Sequence, residues 1–325
     1  MIFTFLGTSA GAPTKLRNNT ALAVQFQQHP GWMLFDCGEG TQHQILKSPL
    51  SLHKLKRVFI SHLHGDHLYG LPGLLASCSL SNRTETLEVF GPIGIKEYLE
   101  TTFRISHLCA GFDIQITELE NIRIGIEFDD LTLEIVPLSH NMVSFGFVLS
   151  EIKTRGRFNA EKAKLLGIPS GPLYKELIDG KTITLTDGSQ FDGADFVKSP
   201  EPPRKIIICG DNDKPELLIP YLENSDLWVH EATYTQQTFE KIGGKFRHST
   251  AFAVSEVAKN ADIANLILTH ISPRYKIGNK EGKNSIEEMY NEVRSIYQGN
   301  CYIAEDLQCF TLSKAGILSL TSEIN

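Results

Sequence analysis

Short apolar runs, each closed by a polar or glycine-rich turn, set the pattern of this chain. Ile2 to Leu6, Ala21 to Phe26 and Gly31 to Phe35 are the first three. Their length and their β-branched and aromatic content predict strands. Arg57-Val58-Phe59-Ile60, Leu87 to Phe90 and Leu131 to Val136 continue the series, and Lys205 to Cys209, Leu227 to Val229 and Leu266 to Thr269 resume it. Helical segments lie between them: Thr41 to Lys47, a helix opening in the run Leu68 to Leu75, and Ile93 to Thr101 behind Gly91-Pro92. Strands alternating with such crossovers predict a mixed α/β protein, with each run of strands forming one half of a sandwich.

Residues 151–200 break the pattern. Lys153, Arg155, Arg157, Lys162 and Lys164 stand against the single acid Glu161, and Gly167-Ile168-Pro169-Ser170-Gly171-Pro172 follows. A hairpin is predicted from Thr182 to Leu185, turning at Asp187-Gly188. A charge run is by default a solvated helix face. Its position between two strand-rich halves suggests instead an arm inserted into one sandwich domain formed by 1–150 and 201–325.

Composition narrows the class. A chain of 325 residues, 41% hydrophobic and 21% charged, buries a large core. No run approaches the length of a membrane span, and the first residues lack the basic and long apolar regions of a signal peptide, so a cytoplasmic protein without membrane association is expected. The six cysteines form no Cys-x-x-Cys pair and several sit in apolar runs, which predicts buried, reduced thiols. A net charge of −7 argues against nonspecific coating of nucleic acid and leaves room for a local basic patch.

The chemistry is concentrated where strands end. Directly after Ile60 comes Ser61-His62-Leu63-His64-Gly65-Asp66-His67, three imidazoles and a carboxylate within six positions. A lone histidine would be an ordinary loop residue; four metal-capable N and O donors together suit a divalent ion such as Zn²⁺ or Mn²⁺. On an extended segment His62 and His64 point to one side and share one ion, while Asp66 and His67, beyond the glycine turn, face elsewhere and hold a second. His140, Asp211, His230-Glu231 and His270 likewise follow apolar strands. The loop Gly7 to Asn19, rich in small residues and hydroxyls and carrying Lys15 and Arg17, is suited to meet a phosphate.

His-x-His-x-Asp-His after a strand resembles the signature of the metallo-β-lactamase superfamily, metal-dependent hydrolases built as a four-layer αββα sandwich. Pro13-Thr14-Lys15-Leu16-Arg17-Asn18, Gly167-x-Pro169-x-Gly171-Pro172, His230-Glu231-Ala232-Thr233 and Ala304-Glu305-Asp306-Leu307 resemble, in this order, motifs of the ribonuclease Z family, the tRNA 3′-processing endonucleases. The resemblance implies that His62, His64 and His140 bind one Zn²⁺, that Asp66, His67 and His270 bind a second, and that Asp211 bridges them, with Mn²⁺ a possible substitute. It implies that His248, oriented by Glu231, serves the leaving oxygen and that Asp66 assists the attacking water. It further implies substrate contacts at Lys15, Arg17, Asn18, Gly171 and Pro172, an arm that grips precursor tRNA, and a homodimer. One departure is visible: the family continues Gly-Asp-Thr where this chain has Gly210-Asp211-Asn212. The competing expectations are a hydrolase of small phosphodiesters or sulfate esters, or an RNA-binding relative without catalysis.

Overall fold

The computed structural model describes residues 1–26, 31–119, 125–128, 131–152, 158–197, 202–276 and 284–321. Among these are two large sheets. The first, eight-stranded, runs Leu318–Leu320, Cys309–Leu312, Ile2–Gly7, Ala21–Gln25, Trp32–Phe35, Leu55–Phe59, Leu87–Pro92, Ile114–Leu119. The second, seven-stranded, runs Asn300–Ile303, Asn265–Thr269, Leu227–Glu231, Lys205–Cys209, Ser144–Glu151, Leu131–Leu138, Ile126–Phe128.

Alternation of side chains explains the layering. Ile206 and Ile208 face the core between the sheets while Ile207 faces outward; Leu227 and Val229 flank Trp228 in the same way. Both faces are covered, so these strands read as unbroken apolar runs. Helices Leu71–Leu80 and Ile95–Ser106 close the outer face of the first sheet, and Ala251–Asn260 and Ile286–Ile296 that of the second. The four-layer αββα expectation is met. The chain ends meet in one sheet, where Phe3 pairs with Phe310.

In each sheet one block of strands is parallel: Trp32–Phe35 through Ile114–Leu119 in the first, and Lys205–Cys209 through Asn300–Ile303 in the second. Parallel strands end on one edge, so whatever follows each strand is delivered to the same rim. The two rims touch where Phe145 donates its N–H to the Ser61 carbonyl at 3.0 Å. Gly210 permits this approach, since a Cβ there would lie 2.4 Å from that of Ser61.

Local boundaries differ from expectation around the histidine motif. The helix expected in Leu68 to Leu75 is preceded by a one-turn helix Gly65–Leu68, and Leu71–Leu80 follows it. Polar Asp66 and His67 occupy that first turn and hide it from an apolar pattern. The helix expected from Ile93 runs Ile95–Ser106.

Within the arm, residues 158–197 form helices Ala160–Leu165 and Pro172–Ile178 and the hairpin Thr182–Thr184 with Gln190–Asp192. Gly188 takes the left-handed conformation, φ 86°, that the turn requires. Ala163, Ile168, Leu177, Ile183 and Phe196 give the arm a small core of its own. At its root, Arg204 forks onto Glu151 with contacts of 2.6 and 3.1 Å, and Lys314 adds a third at 2.9 Å. Lys153, Arg155 and Arg157 lie outside the described residues. All six cysteines are unpaired thiols; Cys37 and Cys78 are buried as expected, whereas Cys109 is exposed because it lies in the loop after helix Ile95–Ser106. No helix among the described residues is long and apolar enough to cross a membrane.

Candidate metal centre

Strand Leu55–Phe59 delivers His62 and His64, the short helix Gly65–Leu68 carries Asp66 and His67, and the ends of three strands of the second sheet bring His140, Asp211 and His270. The structure draws these seven side chains together in two groups around Asp211. His62, His64 and His140 gather near its Oδ2, with His62 Nε2 and His140 Nε2 at 3.6 and 3.7 Å. His67 Nε2 and His270 Nε2 each lie 3.4 Å from its Oδ1, and both lie near Asp66 Oδ2, at 3.5 and 3.3 Å.

The protons on these rings are dictated by what lies behind them. Asp36 accepts from Ser61 N–H, from Ser61 Oγ and from His67 Nδ1–H, at 2.7, 2.8 and 2.7 Å. Because Ser61 Oγ–H is committed to Asp36, the hydroxyl accepts from His62 Nδ1–H at 3.0 Å. His140 Nδ1–H donates to the Arg247 carbonyl at 2.8 Å. Thr233 donates to Glu231 Oε2 at 2.6 Å and so accepts from His270 Nδ1–H at 3.0 Å. Each of these four rings therefore presents a bare Nε2 to the centre, the tautomer that outer carboxylates, carbonyls and hydroxyls impose on metal-binding histidines.

These nitrogens lie close to one another and to His64. His62 Nε2 lies 3.0 Å from His64 Nδ1, His140 Nε2 3.2 Å from that same atom, and His67 Nε2 3.2 Å from His270 Nε2. Ligand atoms about 2.0–2.1 Å from a tetrahedral ion stand roughly 3.3 Å apart, the spacing seen here. Asp211 Oδ1 is buried and has no hydrogen-bond partner. The donor set fits metal cations: the unprotonated Nε2 atoms of His62, His67, His140 and His270 converge, and a buried carboxylate oxygen lacks a donor.

Electrostatics agree. Burial, then the charge of neighbouring His67, pushes the His62 pKa well below that of a free imidazole, keeping it neutral. At His67 burial also opposes charge, but Asp211 and Asp36 outweigh it and raise its pKa well above that of a free imidazole, a demand for positive charge at this point that a cation on Nε2 would meet in place of a proton. His270 takes φ 57° and Asp36 takes the same angle, left-handed conformations uncommon outside glycine. Both bends turn a strand end sharply into the centre.

Beside the two groups sits His248. Its Nδ1 lies 3.1 Å from both oxygens of Glu231 and 3.6 Å from Asp211 Oδ2. Burial lowers the affinity of this ring for a proton, yet the Glu231 carboxylate reverses the balance and raises its pKa to about 9. Glu231 is buried, and despite that burial the histidine charges hold it well below the carboxylate range.

The loop 7–19 is tied into the same rim. Gly11 N–H donates to Asp66 Oδ2 at 2.7 Å, and Asp306 accepts from Thr8 Oγ1, Asn18 N–H and Gln44 Nε2 at 2.7, 2.6 and 2.8 Å. Lys15 is exposed. Arg17 is only 2% exposed, its guanidinium turned inward to the Ala304 carbonyl and Thr8 Oγ1. Its main contacts thus hold the loop, in contrast to the expected surface cation. Both residues border a cavity of about 350 Å³ with Thr14, Leu16, Pro273, Tyr275 and Lys276. Gly171 and Pro172 stand exposed on the arm, opening helix Pro172–Ile178.

Comparison with known proteins decides the family. Ribonuclease Z of Pseudomonas putida strain KT2440 is 42% identical over 318 residues, covering 98% of this chain and 99% of that protein. Ribonuclease Z of Brevibacillus brevis is 40% identical, covering 97% and 98%. The chain belongs to the ribonuclease Z family. Among solved structures, the short form of human tRNase Z superposes with a TM-score of 0.66 at 25% identity, covering 96% of this chain and all of that one. The metallo-β-lactamase fold protein YhfI of Bacillus subtilis, 16% identical, shares the fold with a TM-score of 0.64 over 95% of the chain and 97% of its own. A family model described as the anti-Pycsar protein Apyc1 matches residues 1–155, the half that holds the histidine motif.

For a ribonuclease Z the motifs now have physical roles. The Ala304–Leu307 tetrad anchors the loop 7–19 through Asp306, and the His230–Thr233 tetrad supplies Glu231 to His248 and Thr233 to His270. Asp36, Ser61 and the Arg247 carbonyl were not singled out from sequence. Asp36 had a signal, since it too is an acid at the end of an apolar strand; the other two had none.

Proposed function

We propose that this ribonuclease Z removes the 3′ trailer from precursor tRNA by phosphodiester hydrolysis, leaving a 3′-hydroxyl on the tRNA and a 5′-phosphate on the trailer. The observation that carries this reading is the division of Asp211: one oxygen faces His62, His64 and His140, the other faces Asp66, His67 and His270, and the Glu231–His248 pair adjoins both. These residues would hold two zinc ions per subunit, with Mn²⁺ able to replace them. Metal bound there supplies Lewis acidity toward a phosphoryl oxygen and lowers the pKa of water.

The chain's own groups do the rest. Glu231 fixes His248 through Nδ1, so the remaining ring nitrogen is free to give its proton to the departing 3′-oxygen. Asp66, oriented by Gly11 N–H, acts both as a ligand and as a base toward the attacking water. Lys15 on the loop and the exposed Gly171-Pro172 elbow of the arm contact the RNA, and Arg17 and Asn18 hold the loop that presents Lys15. The self-contained core of the arm supports its reading as a separate gripping element, offered across a homodimer to the partner's centre. Six unpaired thiols support a cytoplasmic location.

Incubation with 3′-extended precursor tRNA, with and without a chelator, tests the reading. Zinc-loaded enzyme should release the trailer with the stated ends and chelated enzyme should leave it attached; intact precursor in the presence of zinc would overturn the assignment.

A further inference from the structure

Asn212 stands immediately after the bridging carboxylate, where the family pattern has a hydroxyl, and is fully buried. Every polar atom it owns is engaged. Its backbone N–H donates to Glu231 Oε1 at 2.8 Å, and its carbonyl accepts from Ser249 Oγ, next to His248, at 2.6 Å. Its side-chain Oδ1 accepts from Ser139 N–H, the residue before His140, at 3.2 Å and from Lys214 N–H at 3.2 Å. Its Nδ2 lies 3.1 Å from His230 Nε2.

These contacts fix the amide without ambiguity. Two backbone donors require an oxygen at one end, so the other end is the NH₂ group and donates. His230 Nε2 must accept, and His230 Nδ1–H donates to the Glu231 carbonyl at 2.7 Å. One amide thus joins three strand ends: the loop that carries His140, the bend that carries Asp211, and the strand that carries Glu231. A threonine offers one oxygen in place of the amide's two polar ends, so the contacts that Asn212 makes to Ser139, Lys214 and His230 would have to converge on a single atom on a shorter side chain.

We propose that Asn212 is a positioning residue that keeps Asp211 and His140 in register with the Glu231–His248 pair, so that the metal-binding groups and the proton donor address the same phosphodiester. This rests on the reading of the site as a hydrolytic metal centre, and it touches no substrate-binding residue. Outer residues that orient metal ligands typically contribute 10–100-fold to metal affinity or activity.

The test compares wild type with Asn212→Ala and Asn212→Thr, all zinc-loaded. Zinc affinity is measured by competition with a chelating dye, kcat and KM on precursor tRNA and on bis(p-nitrophenyl) phosphate, and the hydrogen bond at His230 Nε2 from its ring ¹⁵N shift. Asn212→Ala should lose about 10–100-fold in zinc affinity or in kcat on both substrates, with KM for precursor tRNA unchanged and the ¹⁵N shift of His230 Nε2 moved by loss of its donor, while the Glu231 carbonyl retains the Nδ1–H tautomer. Asn212→Thr should fall between it and wild type. Where Asn212→Ala fails to fold, Asn212→Thr alone decides, by the same readouts. Zinc affinity and kcat within twofold of wild type in the folded variants, or a rise confined to KM, would overturn the assignment. If wild type cleaves the small diester but leaves precursor tRNA intact, the substrate reading fails, and Asn212 is still judged on the diester and on zinc.

Discussion

The metal-competent rim and the arm are built on opposite plans. The rim collects single side chains that follow strand ends, or sit on the short helix Gly65–Leu68, and ties them by contacts far apart in sequence: Asp36 reaches His67 across 31 residues, and the Arg247 carbonyl reaches His140 across 107. The arm is one continuous segment folded on five buried side chains and joined at the Glu151–Arg204 fork. Groups that must meet within a few tenths of an ångström sit where rigid strands end or turn; on the proposed reading, the groups that meet an RNA body sit on an attachment. The two should therefore fail separately.

The strongest way to break that division is Asp211→Asn. Hydrolysis of precursor tRNA and of bis(p-nitrophenyl) phosphate should fall together, by on the order of 10³-fold, because the carboxylate charge that adjoins both donor groups is lost. Selective loss of one activity would show that the rim is not a single unit. Deleting residues 158–197 should act on one side only, abolishing precursor-tRNA cleavage while sparing the small diester; equal loss of both would remove the arm from substrate recognition.

His248→Asn sharpens the picture within the rim. Turnover of precursor tRNA should drop about 10²–10⁴-fold, the range for loss of a general acid, while a p-nitrophenyl ester, whose leaving group needs no proton, should change little. A parallel fall would assign His248 to charge stabilisation instead.

The smallest effect is expected at the root of the arm. Burial of Glu151 favours its protonated form, but Arg204 and Lys314 outweigh it and bring its pKa from 4.5 to about 2. A carboxyl depressed on folding stabilises the protein above its unfolded value, and that contribution disappears as pH falls from about 4.5 toward 2. Melting temperatures across this window should decline less steeply in Glu151→Gln than in wild type, and KM for precursor tRNA should rise a few-fold with the small-diester rate unchanged. An identical acid slope in both proteins would show that the fork contributes no stability.

How much of this was legible depended on separation along the chain. His62, His64, Asp66 and His67 declare themselves because four donors sit together in sequence. His140, Asp211 and His270 stand out only as polar residues after apolar strands; their grouping followed from family likeness, and its physical cause is the shared edge of parallel strands. Ser61 and Thr233 fix ring tautomers through contacts that no spacing encodes. Arg17 looked like a surface cation because the pattern of a loop does not reveal that Ala304 and Asp306 return from the far end of the chain to enclose it. The hairpin of the arm was readable from Asp187-Gly188, since a turn is local, whereas the order of the strands in the two sheets was not.

The most direct measurement is a zinc titration of metal-free protein that follows bound metal and precursor-tRNA cleavage in the same samples. A carboxylate shared between two donor groups predicts that cleavage rises until two equivalents per subunit are bound. Full activity at one equivalent, with no second site filled, would contradict it.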